Sequence, residues 1–416
     1  MESEADPGVS WRRQLTVVFF GSFTTVTAMT LVLPFLPLYI GQLGVKEPAA
    51  VDLWSGIAYG ATFFSAGFVA PLWGRLGDRY GRKVMLVRAS LGMAVAMSLM
   101  GLAQDVWQLA GLRLLTGLLG GYSSGSMILV VTQTPKAHSG WALGVLSSGI
   151  MAGNLIGPLV GGFLPPLIGI RLTFFAAGSV IFVSFLATAF LLRKENPSSR
   201  KVRTGEPVGW ASIPDKRPVA AMLITGLLLM MANLSIEPIL SVYVGQLVSD
   251  PRQVTAIAGM AFSASALGSL LSAAWLGKLA DRIGPWNVIV GCLSVSALLL
   301  LPQAFVTAGW QLVMWRFLMG CALGGLLPCL ASVLRHSVPG AMAGQILGLS
   351  TASQYAGQVA GPVAGGYFAG QGGVRAVLWG TSALLAAGAV LNFLVKGRSR
   401  AAIQGDRGPR SETEVS

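Results

Sequence analysis

Three side chains stand where a greasy chain has little reason to keep charge. Arg113 ("LRLLTGLLGG") and Arg316 ("MWRFLMG") lie well inside apolar runs, and so does one carboxylate, Glu237, in "NLSIEPIL". An arginine at bilayer depth costs at least ~2.5–3.5 kcal/mol by insertion scales, so each should face the protein interior or water. Arginine does not give up its proton in a protein, so it can bias a proton site but not be one. A carboxyl group shielded from water can become neutral near physiological pH. Glu237 is thus the acid expected to carry a proton, with Arg113 tuning it. Pro238 beside it leaves the Leu234 carbonyl without its helical donor, a further polar group at that level. The alternative is a seventh span that stops early, leaving Glu237 wetted at the outer rim. Asn154, Asn233, Gln354 and Gln358 are candidate small-molecule contacts, because a binding cavity is mostly apolar with a few polar groups. Phe and Met residues around them adapt to varied shapes. There is no P-loop, no metal-ligand spacing and no nucleophile–base constellation. No metal, cofactor or enzymatic activity is therefore expected, and an ATP-driven pump or hydrolase has no footing. Cys292, Cys321 and Cys329 sit in apolar runs as packing residues, and His138 and His336 are expected at the surface.

The elements that must position these groups follow from composition. Of 416 residues, 53% are hydrophobic and only 11% charged, against about 25% charged in a soluble domain. The uncharged stretches reach the roughly 20 residues that a membrane helix needs. An all-α polytopic membrane protein is expected, with spans near 14–40, 53–73, 84–103, 106–131, 140–165, 171–192, 218–245, 254–276, 287–306, 309–334, 343–369 and 375–396. That gives an N-terminal segment 1–13, a six-helix bundle 14–192, a linker 193–217, a second bundle 218–396 and a tail 397–416. The linker is rich in charge, Pro, Ser and Gly, as a solvated connection is. The first span is expected to be retained, since no small-residue cleavage site follows early in its apolar run.

The net charge of +13 reads as topology, not as nucleic-acid binding. Lys46, Arg171, Arg252 and Arg375 fall on one side, whereas the other loop and terminal cations fall at the N-terminus, the even-numbered loops and the tail. Under the positive-inside rule those segments, and both termini, belong in the cytoplasm.

The second half repeats the first at an offset of 203 to 204: "PFLPLYIGQL" (Pro34–Leu43) answers to "PILSVYVGQL" (Pro238–Leu247), and Arg113 to Arg316. Two parallel six-helix bundles facing a central site are expected. The turn "GRLGDRYGRK" (Gly74–Lys83) returns as "GKLADRIGPW" (Gly277–Trp286). Its cations alone could mark the cytoplasmic side, but Asp78 has no place in that account, since acids do little for topology. The fifth span holds "GVLSSGIMAGNLIGPLVGG" (Gly144–Gly162), and the eleventh repeats its spacing at Gly348, Gly357, Gly361, Pro362, Gly365 and Gly366. Small residues on one stripe let helices approach closely, and Pro158 favours a bend.

These motifs resemble the major facilitator superfamily. The turn is similar to its G-x-L-A-D-R-x-G-R-K loop, with Gly77 in place of Ala. The resemblance implies conformational gating by Gly74, Asp78, Arg79, Gly81 and Arg82, with Asp78 meeting a helix N-terminus of the other half, where the macrodipole favours negative charge. Asp281 and Arg282 are the weaker second copy, which has lost its cationic end to Pro285-Trp286. The fifth-span pattern is similar to the motif of antiporter branches: Gly144, Gly153, Gly157, Pro158, Gly161 and Gly162, then Gly357, Gly361, Pro362, Gly365 and Gly366. "RLLTG" resembles the family's R-x3-G motif and implies a part for Arg113 in proton transfer; a structural arginine held by carbonyls is the other reading. From about residue 12 to 396 the chain resembles the twelve-span drug:proton antiporter family, and within it the MdtG-like multidrug exporters. It departs from several of these in having no acid in its first span. The implied activity is rocker-switch export of small amphiphilic compounds driven by inward proton flow, through the cytoplasmic membrane, by a monomer. Its partners would be the small-molecule substrate, protons and the bilayer, with no nucleic acid. An exporter of a sugar, organic acid or other metabolite is the alternative on the same fold.

Overall fold

The computed structural model describes residues 7–193, 213, 215–248, 250–339 and 342–405. Most of the expected linker, the first six residues and the end of the expected tail lie outside them. Every regular element among the described residues is a helix, with no strand among them. Eleven helical segments are long and apolar enough to cross a membrane. They are span 1 (Trp11–Gln42), span 2 (Pro48–Tyr80), span 3 (Arg82–Met100), span 4 (Val106–Gln133), span 5 (Ser139–Ile168), span 6 (Ile170–Leu191), span 7 (Lys216–Leu247), span 8 (Gln253–Ile283), span 9 (Pro285–Gln303) and span 10 (Gly309–His336). The eleventh, Ala343–Lys396, is 54 residues long. At about 1.5 Å per residue that is well over twice what a bilayer requires. Gly373 breaks it, with non-helical φ 72° and ψ 173°, into span 11 (343–372) and span 12 (374–405). Twelve crossings result. Helix extends beyond both expected limits, starting at Pro7 and ending at Gly405.

The breaks between helices are written in glycine. Gly81 and Gly284 stop spans 2 and 8 at φ 88°, backbone that only glycine adopts without strain. They are the same position of the two repeats. Inside spans 1 and 7 the α-helix gives way to a 3-10 turn at Leu33–Phe35 and Glu237–Ile239. In each turn the second residue is a proline, Pro34 or Pro238, which cannot supply the amide hydrogen the helix needs there.

The glycine stripes of spans 5 and 11 do the packing expected of them. A Cβ added at Gly153, Gly157 or Gly161 would lie 2.9, 2.7 or 1.8 Å from the carbonyl oxygen of Phe23, Thr27 or Leu31 in span 1. At Gly357, Gly361 and Gly365 the same construction meets the carbonyls of Leu227, Met231 and Ser235 in span 7, at 2.3, 2.6 and 1.9 Å. Each stripe therefore seats the first helix of its own half, backbone against backbone. The next glycine faces the other way. A Cβ on Gly162 would meet the Thr255 carbonyl of span 8 at 2.7 Å, and one on Gly366 the Asp52 carbonyl of span 2 at 2.3 Å. Of the adjacent glycine pair, one member closes the half and its neighbour closes the molecule.

Two seams thus join the halves: span 2 against span 11, and span 8 against span 5. Both are tight at the end away from the Gly74–Lys83 turn. At Gly56 and Gly259 an added Cβ would lie 2.1 and 2.3 Å from the carbonyls of Pro362 and Pro158. At the turn end nothing stands within 4 Å of such an atom on Gly74, Gly277, Gly140, Gly144, Gly344 or Gly348. The chain is closed at the far end and parted at the turn end.

Candidate functional site

Glu237 lies inside span 7, not beyond it, because the 3-10 turn carries the helix on to Leu247. The turn swings its carboxylate toward the opposite half, where it accepts a hydrogen bond from the Tyr59 hydroxyl of span 2 at 2.7 Å. Of the two readings the sequence left open, the rim location is the one that fails. Tyr59 is almost fully buried and stacks edge-on with Phe63. The Arg113 guanidinium sits over its ring, 5.7 Å from the centroid, close enough for cation–π attraction.

Arg113 and Arg316 are 1% and 3% exposed. The carbonyl of Arg113 accepts from Thr62 Oγ1 at 3.1 Å, which ties span 4 to span 2 at this level. In both arginines, however, Nε and Nη2 are buried without a hydrogen-bond partner. That is unlike the carbonyl-satisfied structural arginine weighed above, since buried donors are ordinarily paired. Arg316 is near enough to Glu237 for their charges to attract. Each arginine comes from the middle of its half, and both converge on a single tyrosine–glutamate bond that crosses between the halves.

One acid escaped the sequence reading, which held Glu237 to be the only carboxylate in an apolar span. Asp52 is 5% exposed in span 2, on the seam with span 11, and its Oδ1 has no hydrogen-bond partner. The expected second span, 53–73, put it just outside, at the mouth of the span. What buries it is the neighbouring helix, brought within backbone contact by Gly366.

At the turn, Asp78 forms an ion pair with Arg82 of its own loop while its side chain stays 69% exposed. Among the described residues Asp78 makes no hydrogen bond to a helix N-terminus of the other half, the contact that the resemblance implies. Gly77, where the family pattern has Ala, leaves room for Arg82, whose Nη1 would stand 2.6 Å from an added Cβ. Lys83 donates to the Leu192 carbonyl at 2.5 Å, binding the start of span 3 to the end of span 6. Gly74 and Gly81 are partly exposed, and Arg79, Asp281 and Arg282 are exposed. Arg88 stands within span 3, 3.6 Å over the Trp73 ring and bonded to the Gly120 carbonyl at 3.0 Å. Of the candidate substrate contacts, Asn154 is exposed and Asn233, Gln354 and Gln358 are half-buried. Gln354 bonds Ser350 at 3.3 Å. These four do not converge with the Tyr59–Glu237 pair through any hydrogen bond among the described residues.

Two six-helix repeats joined across their seam by a buried tyrosine–glutamate bond have the architecture of a membrane carrier. The family model "Major Facilitator Superfamily" matches residues 18–257 and 253–414, and the chain belongs to that superfamily. It is 42% identical over 403 residues to "Multidrug resistance protein MdtG" of Salmonella typhimurium, covering 97% of this chain and 100% of that protein. The MdtG of Salmonella newport matches equally. Among solved structures the chain resembles, over 93% of its length and 97% of the other's, a bacterial homologue of the human lysosomal transporter Spinster in an inward-facing, unoccupied conformation, with TM-score 0.73 and 13% identity. The human organic anion transporter MFSD10 matches at TM-score 0.65 and 19% identity, over 92% of this chain and 99% of that one. At those identities the structures speak for the fold alone.

Proposed function

We propose that the chain exports small amphiphilic compounds across the cytoplasmic membrane in exchange for protons, by alternating exposure of a site between its two halves. The observation that carries this reading is the Tyr59–Glu237 hydrogen bond, which joins the halves beside two buried guanidinium groups. A rocking carrier must break and remake the contacts along its seams. A carboxylate held by a tyrosine of the opposite half changes its surroundings with each cycle. Its proton affinity therefore differs between states, which is what coupling demands: a ligand bound equally in both shifts nothing. Arg113, over the tyrosine ring, and Arg316, beside the carboxylate, bias that affinity without themselves releasing a proton. Likeness to the MdtG proteins supports the compound class. The cationic turns and linker support cytoplasmic termini, with the parted end of the bundle facing the cytoplasm. In this arrangement Asp78 waits in its local pair with Arg82, free to dock on the opposite half once the turn end closes.

The test is uptake of a fluorescent amphiphilic dye into inverted vesicles under an imposed proton gradient at several pH values. Glu237→Gln is expected to keep dye binding and to lose gradient-driven uptake. Arg113→Ala should disturb the pH dependence more than the affinity. Normal gradient-driven uptake by Glu237→Gln would move the proton site elsewhere.

A further inference from the structure

The two seams differ at one telling position. In the seam of spans 8 and 5, Thr255 is buried and its hydroxyl donates to the Gly162 carbonyl across the molecule at 2.8 Å. In the seam of spans 2 and 11 the equivalent residue, by the repeat offset of 203 to 204, is Asp52, and the equivalent carbonyl belongs to Gly366. The backbone approach is the same in both, since Gly162 packs on the Thr255 carbonyl and Gly366 on that of Asp52. An ionised aspartate cannot donate a hydrogen bond, whereas the neutral acid carries one O–H donor. A buried carboxylate with no cation or donor bonded to it is strongly unfavourable.

From this we infer that Asp52 is a proton-operated latch of the far end, resting on the alternating-access reading above: as the neutral acid it bonds the Gly366 carbonyl and holds the seam shut, and on losing its proton it releases it. The surroundings of Asp52 supply no other solution. Its side chain makes no ion pair or hydrogen bond among the described residues, and Oδ1 is buried unpartnered. The charged or titratable groups with described side chains on the elements packed against span 2 are Tyr39 of span 1, Arg82, Lys83 and Arg88 of span 3, Arg113 of span 4, Glu237 of span 7, Tyr355 and Tyr367 of span 11, and Arg375 and Lys396 where that helix continues as span 12. Tyr39 is committed to the Met100 carbonyl, Arg88 to Trp73 and Gly120, and Glu237 to Tyr59. None of them bonds Asp52. Seven residues separate Asp52 from Tyr59, two helical turns or about 10 Å along one face of the span. The latch and the Glu237 pair are therefore neighbouring proton sites on one seam, with the latch nearer the far end.

The two states must then be linked to pH. Closure takes up a proton, so raising the pH opens the far end, by up to about tenfold in the open-to-closed ratio per pH unit while Asp52 titrates. The full-length protein in liposomes reports this through Ala49→Cys, placed opposite Gly370 on the same seam, in a chain whose three native cysteines are alanine. Its reaction with a membrane-impermeant maleimide is followed from pH 5 to 9 without substrate. Labelling is expected to rise with pH in the parent and to stay slow and flat in Asp52→Asn, whose neutral amide cannot ionise and can still donate. An unchanged pH response in Asp52→Asn overturns the latch. So does failure of that variant to fold, because a seam that holds a neutral Asp52 must tolerate asparagine. Adding Glu237→Gln separates this from the proposed function. If Glu237→Gln transports normally yet labelling still follows Asp52, the coupling site fails and the latch stands; loss of labelling response in Asp52→Asn is not expected to follow from Glu237→Gln.

Discussion

Two seams built on one backbone plan carry different chemistry. In both, an inner glycine of a Gly-Pro helix admits a carbonyl of the opposing half. In both, the 3-10 turn of the half's first span packs against the opposing helix, Leu33–Phe35 on span 8 and Glu237–Ile239 on span 2. At the level of that turn one seam holds Glu237 bonded to Tyr59. Its repeat equivalents on the other seam are Leu33 and Phe262, both buried in the apolar core. Further out, one seam holds Asp52 and the other Thr255. Glu237 and Asp52, the acids placed within the seams away from the turn end, are thus on one side of the pseudo-symmetry axis. The other seam can act as a pivot, since its hydroxyl–carbonyl bonds and apolar contacts do not depend on charge state. The polar seam is where protonation can alter which arrangement is stable.

The same division of labour appears at the turn end. Lys83 fastens span 3 to the last carbonyl of span 6. In the second copy Trp286 stands at the position of Lys83, and the next residue, Asn287, pairs with Lys396 at the equivalent of Leu192. The tie is kept while donor and acceptor change places. Tyr39 to the Met100 carbonyl (2.6 Å) and Tyr243 to the Gln303 carbonyl (2.7 Å) are kept outright. These ties inside each half recur in both copies, as do the backbone contacts of the seams; side-chain contacts between halves are where the copies diverge.

The largest effect should be common to both copies. Gly161→Leu and Gly365→Leu each force a side chain into a backbone carbonyl, and overpacking that typically costs 1–3 kcal/mol has here no flexible neighbour to absorb it. Both variants are expected to lose transport entirely and to elute as aggregates in gel filtration. Survival of one would mean that the two halves are not packed alike. Next comes the turn. Asp78→Asn is expected to abolish dye export while the protein still inserts, and Asp281→Asn to reduce it only a few-fold. Equal losses in efflux assays would erase the asymmetry at this end.

A reciprocal exchange sharpens the contrast between seams. Tyr59→Phe removes a hydrogen bond to a charged group, worth about 1.5–3 kcal/mol. Proton-driven uptake should fall roughly tenfold, with its pH profile displaced. Phe262→Tyr should not create activity, only lower thermal stability by burying a hydroxyl opposite Leu33. Smallest is Thr255→Val, which deletes one neutral seam bond worth about 1 kcal/mol. A few-fold rise in far-end labelling with no change in its pH dependence is expected. If Thr255→Val altered the pH response, the seam of spans 8 and 5 would be more than a pivot.

Much of the architecture was legible in the chain because hydropathy, glycine and proline act locally. A span length, a Gly at positive φ and a Pro without its amide constrain the backbone wherever they occur. The repeat then doubled every inference, since Gly157-Pro158 and Gly361-Pro362 could be read against each other. Arg113, Arg316 and Glu237 stood out for the same reason: a charge in an apolar run is conspicuous by itself. The sequence alone could not say that Tyr59 belongs with Glu237, 178 residues away, because a tyrosine in an apolar helix is unremarkable until its partner is known. It could not show that Arg88 is held by Trp73, nor that Asp52 is buried, because burial at a span's end depends on which helix lies across it. Nor could it fix whether Asp78 meets the opposite half, since that contact belongs to one conformation and not to the chain. Pairings between halves are decided by how two separately folded bundles dock. That docking depends on surfaces assembled from distant residues, and only the tertiary structure brings them together.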